Sequence, residues 1–559
     1  MTEAVVTDIR PLAAVLVSAV SVVLIVASHR YPNIRESWSI LAALTKFGLI
    51  ASMVPGVLDG TEYEASLGEF VYGIEFALKA DALGMIFALL ASFLWIFTAF
   101  YAAGYMRGLD EGNQTRFFAA FAASLSAAVG IAFARNLLTI FVFYELLSVA
   151  TYPLVAHDGS KEARVAGRKY LAYTFFGGGL LVLGGTALVF AMAGTTEFGA
   201  TATHLADSNA ALARAAFGLL AAGFGVKAAL MPVHSWLPDA MVAPTPVSGL
   251  LHAVAVVKSG VFGIARLVLE VYEPQLVGDL GVGIVLAIVA AITLTVASII
   301  ALRADRLKRR LAYSTISQLS YIVLGLGLVG PAAVAGAGLE NVIKGGLLHI
   351  PAHAFMKLTL FFCAGIIHVE THTDYISEMD GIGKRMPLTM TAFGIAAAGM
   401  AGIPLVAGFV SKWFILIGAV QASQSAFAVV LLISGVLNIA YFWPIVYGAF
   451  FESYDSADSK PLVEGPLGGH SPKQAATDGG SEQDPGGDAE SHDTHVEEGH
   501  HGGPGDGGWD RVGWTGDEGS WLMLGPILLI AAGAVVLGIV PDAAVFLQLI
   551  EDVAQGVMA

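Results

Sequence analysis

The sequence predicts an all-α polytopic membrane protein of about fourteen transmembrane helices. Three observations carry that prediction. Of its 559 residues, 56% are hydrophobic and only 13% charged, and the mean hydropathy of +0.71 is far above that of soluble domains. The apolar stretches are long enough to cross a bilayer, which takes about 20 residues each. The bases between those stretches fall on alternate sides, as they do in membrane proteins.

In order, the apolar segments cover 12–28, 38–57, 83–106, 117–134, 137–156, 170–193 and 211–231. The second set covers 247–269, 276–302, 311–329, 336–369, 388–420, 426–451 and 521–549. Segment 11 is too long for a simple span and holds Pro351, so a break is expected there. Segment 12 is interrupted by Gly402, Pro404 and Gly408. Bases follow segment 1 (Arg30, Arg35), segment 3 (Arg107, Arg116) and segment 5 (Lys161, Arg164, Arg168, Lys169). They also follow segment 9 (Arg303, Arg306, Lys308, Arg309, Arg310) and segment 11 (Lys384, Arg385). The opposite loops are nearly free of bases, and the one ahead of Ala80 carries Glu62, Glu64, Glu69 and Glu75. Odd-numbered segments are therefore expected to end in the cytoplasm, with both termini outside. The first segment lacks a small-residue cleavage site and reads as a span rather than a removed signal.

The net charge of −16 is concentrated in one stretch. Residues 452–519 hold 16 acidic and 3 basic residues, a net of −13, which leaves −16 + 13 = −3 for the remainder. This stretch is rich in Gly, Pro, Asp, Glu and His and cannot bury enough apolar surface to order itself, so it reads as a disordered cytoplasmic loop. Its His492, His495, His500 and His501 could sequester metals, but a solvated tail accounts for them as well. The expected organisation is 1–116 as the first three spans, 117–269 and 270–451 as two half-channels, the acidic loop 452–519, and a last span in 520–559.

Several functional classes are excluded. A single cysteine, Cys363, rules out a disulfide framework, a Cys-ligated iron–sulfur cluster and a CxxC redox motif. There is no GxGxxG after a strand and no GxxxxGK[ST], so no nucleotide or flavin cofactor is expected. Neither a redox nor a hydrolytic site is legible. The expected partners are other membrane subunits, protons, Na+ and the lipid bilayer, with no nucleic acid.

The chain is organised around residues 223–266, where two apolar segments flank a break holding Pro232, Pro238, Pro244 and Pro246. Proline in a helix removes a backbone donor and clashes with the preceding turn, so a discontinuous or re-entrant helix is expected. Ionisable groups beside broken helices at membrane depth are where transporters hold ions. Lys227 and Lys258 flank the break, and Lys412 follows the second break in segment 12. Each such charge costs about 2.5–3.5 kcal/mol to insert at a helix centre, so each needs a reason.

Glu145 lies mid-segment in FVFYELLSVATYPL, as a titratable carboxylate or a structural partner. Desolvation favours a neutral amine and a nearby carboxylate favours the ammonium, so a Glu/Lys pair can switch protonation as its distance changes. For Lys227 the competing reading is a side chain that snorkels to the interface. His252 and Lys258 lie 240° apart on a regular helical wheel and are not expected to share a face. His252 reads equally as a hydrogen-bonded core residue. His349, His353 and Lys357 recur at i, i+4, i+8 and line one face, which looks like a proton path. Metal binding by the two histidines fits their spacing but lacks a third ligand, so no metal site is expected.

The stretch KAALMPVHSWLPDAMVAPTPVSGLLHAVAVVKSGVFGIAR resembles the signature of the antiporter-like membrane subunits. That family is shared by respiratory complex I, membrane-bound hydrogenases and Mrp-type multisubunit Na+/H+ antiporters. YELLS, the stretch from Arg309 to Leu319, HAFMK and AGFVSKW follow in the family's order, so the resemblance covers segments 3 to 13. It implies two inverted five-helix repeats, segments 4–8 and 9–13. It also implies roles for Glu145 as the segment 5 carboxylate and Lys227 as the segment 7 lysine. Lys258 would connect the halves, Lys412 would serve the second half, and His252, His349, His353 and Lys357 would form the linking polar axis. Lysines on both segments 8 and 12 resemble the Mrp D subunit. The long acidic loop before segment 14 departs from the family pattern. Two functions remain open, cation/proton antiport and redox-driven proton pumping, because in both the energy source lies in partner subunits. A membrane scaffold without ion conduction would gain nothing from the buried lysines.

Overall fold

A computed structural model describes residues 4–71, 73–453, 509–514 and 517–558. Most of the acidic loop, with its four histidines, lies outside the described residues. Among the described residues, twelve helices are long and apolar enough to cross a membrane. They are α1 (Arg10–Ala27), α2 (Pro32–Ala51), α3 (Ala82–Gly108), α4 (Gln114–Ala132), α5 (Leu137–Val155), α6 (Lys161–Ala193) and α7 (Ala210–Lys227). Further along are α9 (Val282–Arg303), α10 (Leu307–Gly327), α11 (Leu339–Thr371), α13 (Ser425–Phe451) and α14 (Trp521–Ile539).

The two remaining spans are discontinuous. Helix α8 occupies 245–271 and alternates α and π turns: Thr245–Gly249, Leu250–Val254, Val256–Arg266 and Leu267–Val271. Helix α12 is split into α12a (Pro387–Ala401) and α12b (Ala407–Gln421). The proline-rich break after Lys227 is non-helical and then makes one short turn, Trp236–Asp239. The indole of Trp236 donates to Val226 O at 2.8 Å and folds the break back onto the end of α7.

Side chains at the helix starts hold several spans in register. Asp81 accepts from Gly84 N at 2.7 Å, Asn136 from Thr139 N at 2.8 Å and Ser160 from Ala163 N at 3.1 Å. Each satisfies a backbone donor that the first helical turn leaves free. The long central helix α11 is buried along its whole length and packs against α10, both halves of α12, α14 and the first turns of α8.

Four expectations need correction or extension. The break at Pro351 does not form: α11 runs unbroken through it. Proline removes one backbone bond there, but neighbours on every side hold the helix together. Segment 14 stops at Ile539, ahead of Pro541. An amphipathic helix, α15 (Phe546–Met558), follows and buries Phe546, Leu549, Ile550 and Val553. It is tied to α11 by Lys344 and Glu551 at 2.7 Å. Helix α6 begins at Lys161, so Lys161, Arg164 and Arg168 stand on its first turns rather than in a loop. Outside the helices, the stretch read as an acidic loop is a small sheet. Strand β1 (Ala4–Thr7) pairs in parallel with β2 (Thr61–Val71), which pairs antiparallel with β3 (Ile74–Ala80). The all-α description therefore applies to the membrane part.

Candidate functional site

The site begins where α5, α6 and α7 meet. Lys227 is the last residue of α7 and is fully buried. Its amine donates to Tyr144 O at 2.5 Å and lies 3.5 Å from the centroid of the Tyr144 ring. The Tyr144 hydroxyl donates in turn to Gly223 O at 3.0 Å, back on α7. Glu145 is the next residue on α5. Both of its carboxylate oxygens are buried without a hydrogen-bond partner among the described residues. The amine therefore rests on the neighbouring carbonyl and ring, with no ion pair to the carboxylate. A carbonyl and an aromatic face offset part of the cost of a buried ammonium.

Helix α6 makes this approach through a π-helical stretch, Phe176–Val182, that contains Gly177, Gly178 and Gly179. A Cβ on Gly178 would collide with the Glu145 carboxylate, and one on Gly177 would come within 2.9 Å of Val226. Small residues let helices close on one another, and π turns inside α-helices recur at functional sites.

The middle of the site joins α8 to α11. Lys258 is fully buried and its amine lies 2.8 Å from His353 Nδ1. With the amine donating, His353 carries its ring proton on Nε2, which has no partner among the described residues. His252 packs on Phe361 with ring centroids 4.7 Å apart, and both of its nitrogens lack partners among the described residues. Thus His252 and Lys258 both face α11, which a regular helical wheel does not anticipate. The π turn between them shifts the phase of the helix. Lys357 donates to Ser314 Oγ at 2.6 Å and to Leu311 O at 3.1 Å, both on α10.

From His353 the stripe continues one turn back along α11 to His349, with ring centroids 6.3 Å apart. Both nitrogens of His349 are engaged, Nδ1 with Ser411 Oγ at 2.8 Å and Nε2 with Gln318 Oε1 at 2.9 Å. No nitrogen of His349 is left for a metal. The Gln318 amide then donates to Met400 O at 3.3 Å, and Lys412 donates to the same carbonyl at 2.5 Å.

The break in α12 explains that meeting point. In a continuous helix, Met400 O would accept from the residue four positions on, which is Pro404 and has no N–H. The chain instead turns at Gly402 (φ 88°) and Leu405 (φ 76°). The freed carbonyl, at the negative end of the half-helix dipole, is satisfied by an amine and an amide from neighbouring elements.

Beyond Lys412 the polar side chains continue. Its amine lies 4.8 Å from the Tyr321 ring centroid. Asn438 of α13 donates to the Tyr321 hydroxyl at 3.2 Å and accepts from the Tyr441 hydroxyl. Arg310 closes the series by donating to Tyr441 O at 2.9 Å and Ala304 O at 2.8 Å, near the start of α10.

The structure thus brings Lys258, His353, His349 and Lys412 into one buried series, with Lys357 and His252 beside it and Glu145 with Lys227 in a separate cluster. Sequence reading missed Gln318, Ser411, Tyr321 and Asn438, although Gln318 and Asn438 are amide side chains within apolar spans. It also missed Lys46 of α2, fully buried, whose amine donates to Leu125 O at 2.8 Å beside the Trp95 ring. Buried Arg266 was missed too. It bonds Asp81 at 2.7 and 2.8 Å and Glu270 at 2.6 Å, clamping α8 to the start of α3.

The fold and this site define a polytopic membrane protein with two discontinuous helices and a buried titratable axis between them. The chain belongs to the family described as NADH:quinone oxidoreductase/Mrp antiporter, TM, whose model matches residues 134–438. It is 34% identical over 386 residues to the NADH-quinone oxidoreductase subunit N of Desulforudis audaxviator, covering 68% of this chain and 74% of that one. It is 33% identical over 359 residues to a Na(+)/H(+) antiporter subunit from Alkalihalophilus pseudofirmus, covering 63% of this chain but 44% of the relative. The chain thus spans under half the length of that relative. Its fold is similar to a chain in the structure of the Mrp complex from Dietzia sp. DQ12-45-1b. The TM-score is 0.76 at 22% identity, over 98% of this chain and 97% of that one.

Proposed function

We propose that this chain is a proton-translocating subunit of a multisubunit membrane complex and that it works in cation/proton antiport of the Mrp type. The single observation that carries the reading is the buried series from Lys258 through His353, His349, Gln318 and Met400 O to Lys412. An aliphatic amine or imidazole at each end of such a series can hold a proton, and small changes in neighbour distance decide which form is favoured.

In this reading Glu145 and Lys227 form the first half-channel, within 117–269. Lys412 serves the second, within 270–451. Lys258, His353 and His349 link them, while Lys357 and His252 adjust the field along the link. Movement of Lys227 from Tyr144 O towards Glu145 would favour its ammonium, and return would favour release of the proton. The chain's bases place the odd-numbered helix ends in the cytoplasm, with both termini outside and the acidic loop inside. Lysines on both α8 and α12 favour the D-type subunit of an Mrp complex. The name of the Alkalihalophilus pseudofirmus relative points to Na+ as the exchanged cation.

The second reading is a proton-pumping subunit of a redox-driven complex. The similarity to the NADH-quinone oxidoreductase subunit N favours it. Both readings place the energy source in other subunits, so the genes beside this one discriminate them: small antiporter subunits in one case, iron–sulfur and quinone-site subunits in the other.

The test is Lys227→Ala in everted membrane vesicles, read as cation-dependent dissipation of an imposed proton gradient. Exchange is expected to vanish while the complex remains assembled on a native gel. Exchange at the unmutated rate would remove Lys227 from the pathway.

A further inference from the structure

We propose that the notch between α5 and the first turns of α6 holds the phosphate headgroup of an anionic phospholipid. The notch is a cavity of about 370 Å³ lined by Tyr152, Lys161, Arg164 and Arg168. Its three bases stand at i, i+3 and i+7 on α6, which puts them in one row on one face. No acid is among the lining residues.

The bases are held open. Arg164 donates through Nε to Gly159 O at 2.7 Å, which fixes the plane of its guanidinium against the preceding loop. Among the described residues, none of Lys161, Arg164 and Arg168 is in an ion pair. The adjacent Lys169, which points elsewhere, is paired to Asp239 at 2.6 Å. Tyr152 reaches the row because Gly167 lies beneath its ring, where an added Cβ would stand 3.0 Å from Cε2. Three like charges around one cavity repel one another until an anion enters. Guanidinium groups match the oxygens of a phosphate in pairs.

The rest of the same helix says which phosphate. Along α6, away from the row, Val165, Phe175, Phe176 and Leu180 are exposed and apolar. A cationic notch at the end of a span, continuous with an apolar exposed stripe, suits a molecule with an anionic head and acyl chains. Basic pockets between transmembrane helices bind such headgroups. A free phosphate would use the row and leave the stripe uncovered. The site lies on the outer side of α6 and shares no residue with the buried axis.

The experiment is native mass spectrometry of the intact complex, released from membranes and incubated with phosphatidylglycerol, phosphatidylcholine or inorganic phosphate. The unmutated protein is expected to retain phosphatidylglycerol in preference to phosphatidylcholine, with inorganic phosphate unable to displace it. Arg164→Gln/Arg168→Gln is expected to weaken that retention about 25-fold, taking each base near a membrane surface as worth about a factor of five. Arg164→Lys/Arg168→Lys, which preserves charge, is expected to keep most of it and shows that the fold tolerates change there. Equal retention by the glutamine variant, equal retention of phosphatidylcholine, or full displacement by inorganic phosphate would each overturn the proposal.

Discussion

Lys412 and Met400 face each other across the break in α12, the amine donating to the carbonyl at 2.5 Å. The bond exists because Pro404 cannot supply the backbone donor that Met400 O would otherwise take. A gap in one helix thus creates an acceptor for a buried amine, and Gln318 links that acceptor to His349.

Pro404→Ala restores an N–H at the position that would close the helical turn on Met400 O. It is expected to compete with Lys412 and lower exchange by about tenfold to a hundredfold, the range for a hydrogen bond to a charged group. Vesicle exchange measured against assembly on a native gel checks this, and unchanged exchange would show that the carbonyl does not hold the lysine in a working position.

Gln318→Leu removes the amide between His349 and Met400 O and leaves His349 Nε2 buried without a partner. A loss of about 1–3 kcal/mol of stability is expected, seen as a lower melting temperature in detergent. In a double-mutant cycle on exchange rate, Gln318→Leu and Lys412→Ala are expected to be non-additive, because they act on one carbonyl. Independent effects would separate the two residues.

Gly178→Ala places a Cβ against the Glu145 carboxylate, whereas a Cβ on Gly179 meets nothing within 4 Å. Exchange is expected to fall severely in the first variant and stay near normal in the second. Equal behaviour of the two would mean that the close approach of α6 to Glu145 has no part in transport.

Glu145→Gln keeps the shape of the side chain and removes its charge. It is expected to leave assembly intact, lower exchange at least tenfold, and abolish the effect of Lys227→Ala in the double variant, since the two act as a pair. Exchange rates of the two single variants and the double variant, taken across pH 6 to 9, provide the measurement.

Arg266→Gln leaves Asp81 and Glu270 as buried like charges beside one another. A destabilisation of about 3–5 kcal/mol is expected, visible as poor yield of assembled protein, and Arg266→Lys is expected to rescue it only in part. Normal yield from the glutamine variant would show that this clamp is not needed to seat α8 against α3.

Much of the membrane body was legible because crossing a bilayer imposes length and apolarity on each span. The break in α12 was legible from Gly402, Pro404 and Gly408. The break at Pro351 was expected on the same logic and did not form, because proline removes only one bond and the packing around α11 holds the rest. The strands β2 and β3 were passed over since their residues lie outside the apolar segments, although Ile74, Phe76 and Leu78 alternate with Glu75 and Ala77 in the two-residue period of a strand.

The sequence by itself determined the membrane class, the two interrupted helices and which ionisable side chains must lie in the apolar interior, because inserting charge into lipid is costly wherever the chain folds. It also determined the orphaned carbonyl of Met400, through Pro404. Only the tertiary structure decided which groups meet. Lys227 rests on Tyr144 O rather than on Glu145, Lys258 meets His353, and Gln318 joins His349 to the α12 break. Those contacts depend on the phase of α8 after its π turn and on how closely glycines let helices approach. Both are set by packing between segments distant in sequence.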